Sequence, residues 1–148
     1  MDPDFVRLLG QLDSLKRETV AKAQRKALTR VGRIVCDAIV AVTPEQAGVP
    51  EGLLEVGELR AHIKASVRVA KDESLAIGGI DRVIVGPNTS VTKSVAGWVE
   101  YGHAGPKDGS PRTPPHPFIR PAFDAVETEA VEAYAETLTA EIEKAVRV

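Results

Sequence analysis

The chain has 148 residues, of which 27% are charged, 43% are hydrophobic and only 4% are aromatic, and its formal net charge is −2. A length near 150 residues predicts a single domain, in which Ala and Val must fill much of the core. The near-balance of 19 basic and 21 acidic residues argues against wholesale non-specific DNA binding. Cys36 is the only cysteine, which excludes an intramolecular disulfide and a cysteine-rich zinc site.

The sequence has no segment with the features of a secretion signal or a membrane span. The first twenty residues lack the basic start and long apolar stretch of a signal peptide. No run approaches eighteen apolar residues. We therefore expect a soluble protein that is made in a reducing compartment and has no membrane partner.

The first predicted element is a long amphipathic helix. Apolar residues recur at three- and four-residue spacing from Asp4 to about Val42, and the Thr43-Pro44 pair ends the pattern. Such a helix would be about 57 Å long, whereas a domain of this size has a radius of gyration of about 15 Å. Either the helix is broken or it projects and packs on another chain, and its thin stripe of small apolar residues favours the second alternative.

The middle of the chain predicts a small antiparallel sheet. Two Pro and three Gly make residues 43–57 a loop, after which apolar and polar residues alternate strictly from Leu59 to Val69. That alternation predicts a half-buried strand. A short strand at 75–77 and a second firm strand at 80–86 follow, and the sheet region as a whole covers residues 59–101.

The last third of the chain holds a long loop and a second long helix. Residues 92–101 are ambiguous between a strand and a short helix. Residues 102–117 contain three Gly and five Pro, and a loop of this length is typically functional or ordered by a neighbour. Pro121 opens a helix that runs to 147. The order of elements predicts one α+β domain over residues 1–148, with the helices packed on the sheet.

No pattern of residues indicates catalysis or metal binding. None of His62, His103 and His116 belongs to an HExxH motif or has a second ligand at helical spacing. There is no nucleophile elbow and no phosphate-binding loop, and Cys36 lies on the apolar side of the first helix. We expect no catalytic residue, no metal and no cofactor. A small hydrolase that uses His116 and Glu100 is the weakest alternative.

The two long helices carry opposite charge. Seven basic residues and only one acidic residue lie between Lys16 and Arg33, whereas the last helix is strongly acidic. One interpretation is that the two helix faces attract each other within or between subunits. The other is that the first helix contacts DNA phosphates or an acidic partner. The candidate residues for that contact are Lys22, Arg25, Lys26, Arg30 and Arg33.

The most specific motifs lie between residues 85 and 125. They are VGP at 85–87, AGWVEYG at 96–102 and PHPFIRPAFDA at 115–125. We expect Glu100 to be partly buried, with Arg120 as its ion-pair partner. The prolines favour an extended approach to the last helix, with Phe118 as an apolar plug. These residues either close the fold or contact a partner directly.

These motifs resemble the gene-ten-like (HK-type) neck and tail-completion family of long-tailed bacteriophages. The resemblance implies a non-catalytic structural protein of the virion, located at the head–tail junction after assembly in the host cytoplasm. It implies a homo-oligomeric ring, a hexamer or a dodecamer, that joins the tail to the head. A tail terminator that caps the tail tube is the nearest alternative, and a DNA-binding accessory protein that uses the basic helix is a further one.

The resemblance also implies partners and signature positions. The implied partners are further copies of the chain, other neck and tail proteins of the phage, and DNA passing through the lumen of the ring. The signature positions, interpreted as determinants of folding and assembly, are Val99, Glu100, Tyr101, Gly102, Pro117, Phe118, Arg120, Pro121 and Phe123.

Overall fold

The α+β fold class is confirmed by the structure, a computed structural model that describes residues 3–45, 53–69, 80–103 and 113–146, with side chains at 17–45, 53–68, 82–103 and 113–145. Strands β1 and β2 form a two-stranded antiparallel sheet. The expected strand at 75–77 and the middle of the proline-rich loop lie outside the described residues. The elements in chain order are α1 (Pro3–Val42), α2 (Glu58–Ala61), β1 (Ile63–Val69), β2 (Ile80–Pro87), α3 (Ser90–Tyr101) and α4 (Ile119–Val146).

Helix α1 has the length that the sequence predicts and, from Arg17 onward, the predicted apolar stripe. It is a continuous helix of 40 residues. Ala23, Ala27, Val35 and Ile39 are buried at positions separated by multiples of four residues, which places them on one helix face. Thr43 follows at the same spacing, and its hydroxyl donates to the Ile39 carbonyl oxygen at 2.7 Å. The Ile39 carbonyl oxygen also accepts the Thr43 backbone N–H at 2.9 Å, so the hydroxyl adds a second hydrogen bond at the end of the helix.

The predicted first strand is wrong at its beginning, because residues 58–61 form the short helix α2. Gly57 has a φ of 79°, a left-handed conformation that favours glycine and turns the chain into this helix. The Arg60 guanidinium donates to the Thr43 carbonyl oxygen at 2.8 Å and to the Glu45 carboxylate at 3.2 Å. Arg60 thus links the two ends of the 43–57 loop, and the extended conformation begins only at Ile63.

The ambiguous segment 92–101 lies in a helix. Thr89 is the N-cap of α3: its hydroxyl accepts from the backbone N–H of Thr92, and the Thr92 hydroxyl accepts from the backbone N–H of Thr89. This reciprocal arrangement satisfies two N–H groups at the helix start. Val95, Ala96 and Val99 are buried on one side of the helix, so that helical packing replaces the alternation of a strand.

Helix α4 begins at Ile119, two residues before the predicted Pro121. Its buried residues are Ala122, Ala130 and Ala133, whereas Phe123 is 43% exposed. The buried apolar residues of the described ranges are mostly alanine and valine, as the low aromatic content predicts.

The chain divides into two compact units. The first consists of Met1–Gly32, Ser66–Ile84 and Val131–Val148. The second consists of Arg33–Ala65 and Val85–Ala130, and it contains all nine signature positions. The single-domain organisation stays a prediction.

Candidate assembly site

Glu100 caps helix α4 from a neighbouring helix. It is 6% exposed, and its carboxylate accepts the backbone N–H groups of Phe118 at 2.7 Å, Ile119 at 2.9 Å and Arg120 at 3.1 Å. The first N–H groups of a helix have no partner within the helix, and a negative charge there also complements the helix dipole. A single buried carboxylate therefore determines where α4 begins.

The prediction that the Arg120 side chain forms an ion pair with Glu100 is wrong, because Arg120 binds the carboxylate through its backbone. Arg120 contributes its backbone N–H, and within the described ranges no ion pair joins the two side chains. The Arg120 side chain is exposed. The early start of α4 explains the difference, because it brings three backbone N–H groups to the carboxylate.

Gly102 is required by the turn that follows α3. Its φ is 71° and its ψ is 167°, a combination that residues with a side chain rarely adopt. A Cβ atom at this position would lie 2.6 Å from the Thr113 carbonyl oxygen and 2.9 Å from the Pro115 nitrogen. This close approach allows His103 and Thr113 to form an isolated antiparallel bridge.

Val99 and Phe118 complete this junction. Val99 is buried, and its carbonyl oxygen accepts the backbone N–H of His116 at 2.7 Å. Phe118 is 5% exposed, so its ring is buried, as the prediction of an apolar plug requires. His116 is exposed and contributes a backbone N–H here, while both Glu100 oxygens are held by backbone groups. The Glu100 carboxylate, one member of the pair named for a hydrolase, is thus held by structural hydrogen bonds.

The nine signature positions fall into two classes. Val99, Glu100 and Phe118 are buried, and Gly102 is held by the close approach of backbone. The other five are exposed, and packing within the chain therefore does not account for them. They are Tyr101, Pro117, Arg120, Pro121 and Phe123.

Three of the exposed positions line a groove of about 450 Å³ beside α3 and the start of α4. Tyr101 is 71% exposed and Phe123 is 43% exposed, so each leaves a large aromatic surface in water. Arg120 and Lys93 add two cationic side chains. The remaining lining residues are small or apolar, apart from the carboxylate of Glu100, and comprise Pro87, Ala96, Gly97 and Ile119.

The basic residues of α1 are partly neutralised within the chain. Lys26 lies 2.7 Å from the Glu141 carboxylate, and Arg30 lies 2.7 Å from that of Glu136. The hydrogen bond from Lys26, followed by one from Lys144, lowers the pKa of Glu141. For these two cations the structure favours attraction between helix faces within one chain.

The other three basic candidates have weaker partners or none. Arg33 lies 3.9 Å from Asp37 on its own helix, a distance at the limit of an ion pair. Lys22 and Arg25 are exposed and form no ion pair with any residue that the structure describes. They are the two charges of this set that remain available to a partner.

The histidines and the cysteine have local structural contacts. The His62 Nδ1 atom lies 2.8 Å from Asn88 Oδ1, and the His103 ring contacts Trp98 with centroids 5.6 Å apart. Cys36 is half-buried, its Sγ lies 3.6 Å from the Ile63 carbonyl oxygen, and burial raises the pKa of its thiol. In the part of the chain that the structure describes, no three His, Cys, Asp or Glu residues are placed to hold a metal ion.

Sequence reasoning missed Arg60 and Lys93. The alternation from Leu59 to Val69 predicts Arg60 on the polar face of a strand, whereas Arg60 stabilises a turn. Lys93 fell in the segment whose type was ambiguous. The Thr-x-x-Thr spacing at 89–92 is a capping signal that identifies this helix, and helical spacing then places Lys93 and Gly97 on one face.

A family described as "Bacteriophage HK97-gp10, putative tail-component" matches residues 7–102. The chain belongs to this family. The matched range includes the VGP and VEYG motifs and ends at Gly102, so the PHPFIRPAFD segment lies beyond it. No curated protein and no solved structure matches the chain significantly.

Membership of this family makes the chain a bacteriophage tail component associated with the virion. Other tail or neck proteins of the phage are the partners that this implies. Of the helices described, none combines the length and the apolar character needed to cross a membrane.

Proposed function

We propose that this tail component is a non-enzymatic neck or tail-completion protein, which assembles as a ring and joins the tail to the head. The family match over residues 7–102 is the observation that carries the proposal. The geometry of the signature positions is consistent with it. Glu100 and Gly102 serve the fold, while Tyr101 and Phe123 leave aromatic surface exposed that a neighbouring subunit would bury.

The distribution of charge supports a closed ring. In a ring each subunit contacts the next through two different surfaces, which therefore have to be complementary. This chain carries exposed cationic side chains at Lys22 and Arg25 on α1 and an excess of carboxylates on α4. A hexamer or a dodecamer is the ring size that we propose.

Deletion of the gene from the phage genome tests this function. We expect the host cells to accumulate filled heads and tails of normal length that are not joined, and a plasmid copy of the gene should restore infectious particles. Mass spectrometry of purified wild-type virions should detect the protein. Its absence from virions would show that the proposal is wrong.

A tail terminator is the closest rival role, and the same deletion separates the two. A terminator caps the tail tube, so that its loss should yield tubes of uncontrolled length. Cryo-electron microscopy of the intact particle gives a second criterion. Density for this chain directly on the tail tube would favour the terminator, and density between the tube and the portal would favour the neck protein.

Binding of DNA by α1 is the second candidate function, and the free side chains of Lys22 and Arg25 favour it. Contacts of this kind are made to phosphates and weaken steeply as the salt concentration rises. A gel-shift titration of duplex DNA should then show binding at low salt that is lost at physiological salt. A lack of binding at low salt would remove this candidate.

A further inference from the structure

We propose that the outer stripe of helix α4 pairs with the same stripe of a second copy of this chain, with the two helices antiparallel. The outer stripe is a row of apolar residues in the second half of α4, which follow one another at intervals of four and three. They are Val131, Ala135, Leu138, Ile142 and Ala145.

The outer stripe is largely open to solvent. Val131 is 63% exposed and Ile142 is 39% exposed. Ala135 and Ala145 are exposed as well, and Leu138 is half-buried. The buried Ala133 lies on a different side of the helix, because residues two positions apart on an α-helix point about 200° apart. Helix α4 therefore has two apolar faces: one is buried within the chain and the other is available to a partner.

The spacing of the outer stripe fits another helix. Apolar residues at alternating intervals of four and three form a continuous seam along an α-helix, and two helices with such seams pack side by side. The seam extends from Val131 to Ala145, about four helical turns, and none of its five positions is polar or charged. The complementary partner is therefore a helix with an apolar row of the same spacing.

The outer stripe is complementary to itself when the two helices run in opposite directions. In an antiparallel pair, the position that follows a four-residue step faces one that follows a three-residue step. Ala135 then lies opposite the partner's Leu138, so that a small residue meets a large one. Val131 lies opposite the partner's Ile142, so that the two most exposed large residues of the stripe bury each other.

The polar residues beside the outer stripe are compatible with this arrangement. In the same register Glu132 flanks the partner's Thr139, and Tyr134 flanks the partner's Glu141. No carboxylate meets another at these flanking positions, and the Tyr134 hydroxyl is able to donate a hydrogen bond to the Glu141 carboxylate. A parallel pair would instead place the like ends of two helix dipoles side by side.

The antiparallel pair differs from the contacts of the proposed ring. In a cyclic ring each subunit meets the next head-to-tail, whereas the antiparallel pair uses the same surface on both copies. The pair therefore belongs to the free chain before it enters the virion. Its test needs no phage particle, and its failure would leave the proposed neck role unaffected.

Substitution of two exposed residues of the outer stripe in the full chain tests the pairing. In sedimentation-equilibrium experiments the wild type should dimerise. Val131→Glu with Ile142→Glu should associate at least about tenfold more weakly, because carboxylates then face each other in an apolar seam. The matched control is Val56→Glu with Val91→Glu, which replaces two valines outside α4 that are 69% and 44% exposed. It should associate like the wild type.

Circular dichroism and thermal unfolding identify any variant that fails to fold. If the double glutamate variant does not fold, Val131→Ser with Ile142→Ser is the milder variant, and it should also associate more weakly than the wild type. A wild type that remains monomeric, stripe variants that associate normally, or a control that dissociates as they do would each overturn the proposal.

Cysteine cross-linking tests the antiparallel orientation. In a Cys36→Ser background, a mixture of Val131→Cys and Ile142→Cys should form a mixed disulfide under mild oxidation, whereas Val131→Cys alone should form none. The two copies of position 131 lie about 16 Å apart along an antiparallel pair, which is beyond the reach of a disulfide. Cross-linking of Val131→Cys alone, or the absence of the mixed disulfide, would overturn the proposed arrangement.

Discussion

Carboxylates have different kinds of partner at the two ends of helix α4: backbone N–H groups at its beginning and cationic side chains near its end. At its beginning, the buried Glu100 accepts three backbone N–H groups. Near its end, Glu136 and Glu141 meet Arg30 and Lys26 of α1, and the Glu136 side chain is 71% exposed. An exposed ion pair contributes about 0–1 kcal/mol, whereas loss of a buried acceptor leaves its donors unsatisfied. We therefore expect the free energy of unfolding to depend strongly on the junction formed by Val99, Glu100, Gly102 and Phe118. It should depend only weakly on the ion pairs between α1 and α4.

The largest effect is expected for Phe118→Ala at the buried junction. Removal of a fully buried aromatic side chain costs about 4 kcal/mol, because apolar burial is lost and a cavity remains. Urea unfolding should show this loss of free energy, and the exposed Phe123→Ala is the matched control, with a loss below about 1 kcal/mol. Equal effects of the two substitutions would contradict the division of the signature positions by burial.

Glu100→Ala should lower the free energy of unfolding by about 3 kcal/mol, because three N–H groups at the start of α4 lose a charged acceptor. Glu129→Ala removes an exposed carboxylate from the same helix and should change it by less than about 0.5 kcal/mol. Chemical denaturation at neutral pH measures both. If Glu100→Ala unfolds at the wild-type denaturant concentration, the cap does not stabilise the helix as we infer.

Gly102→Ala should cost about 2 kcal/mol through backbone strain and the clash with the Thr113 carbonyl oxygen. Gly97→Ala is the control, since nothing lies within 4 Å of a Cβ atom there. Thermal unfolding of the two variants gives the comparison, and hydrogen exchange at His103 and Thr113 should increase only in the first. If these amides stay protected in Gly102→Ala, the close approach of the Thr113 backbone is not what requires glycine at position 102.

Removal of the exposed ion pairs between α1 and α4 should have the smallest effect on the free energy of unfolding. Lys26→Met with Arg30→Met should lower the free energy of unfolding only slightly, and high salt should abolish even this difference. The Gln variants of Glu136 and Glu141 should have a similarly small effect. A loss comparable to that of Glu100→Ala would reverse the ranking of the two ends of the helix.

The pH dependence of the Glu141 pair follows from its lowered pKa. Because the folded state holds this carboxylate ionised more strongly than the unfolded state, its contribution is present at pH values above the unfolded pKa. It is lost as the pH falls through the lowered folded value. Carbon-detected NMR titration should show the Glu141 pKa below its ordinary range in the wild type and closer to it in Lys26→Met.

Part of the candidate site could be predicted from the sequence. The VEYG and PFIRP motifs identified the residues, and Phe118 was correctly expected to be buried. The atoms that bind Glu100 could not be predicted, since they belong to the backbone of residues 18 to 20 positions further along the chain. Every residue except proline has a backbone N–H donor, so the residue types do not show which backbone groups bind a carboxylate. The sequence therefore favours the guanidinium of Arg120 as the partner of Glu100.

The sequence by itself determined the elements whose signal is local. The stripe of α1, the end of that helix at Thr43-Pro44 and the second strand depend on contacts between residues a few positions apart. Only the tertiary structure decided that Glu100 caps α4, that Phe118 is buried while Phe123 is exposed, and that Lys26 meets Glu141 across 115 positions. These features depend on where distant segments meet in space, which local periodicity does not encode.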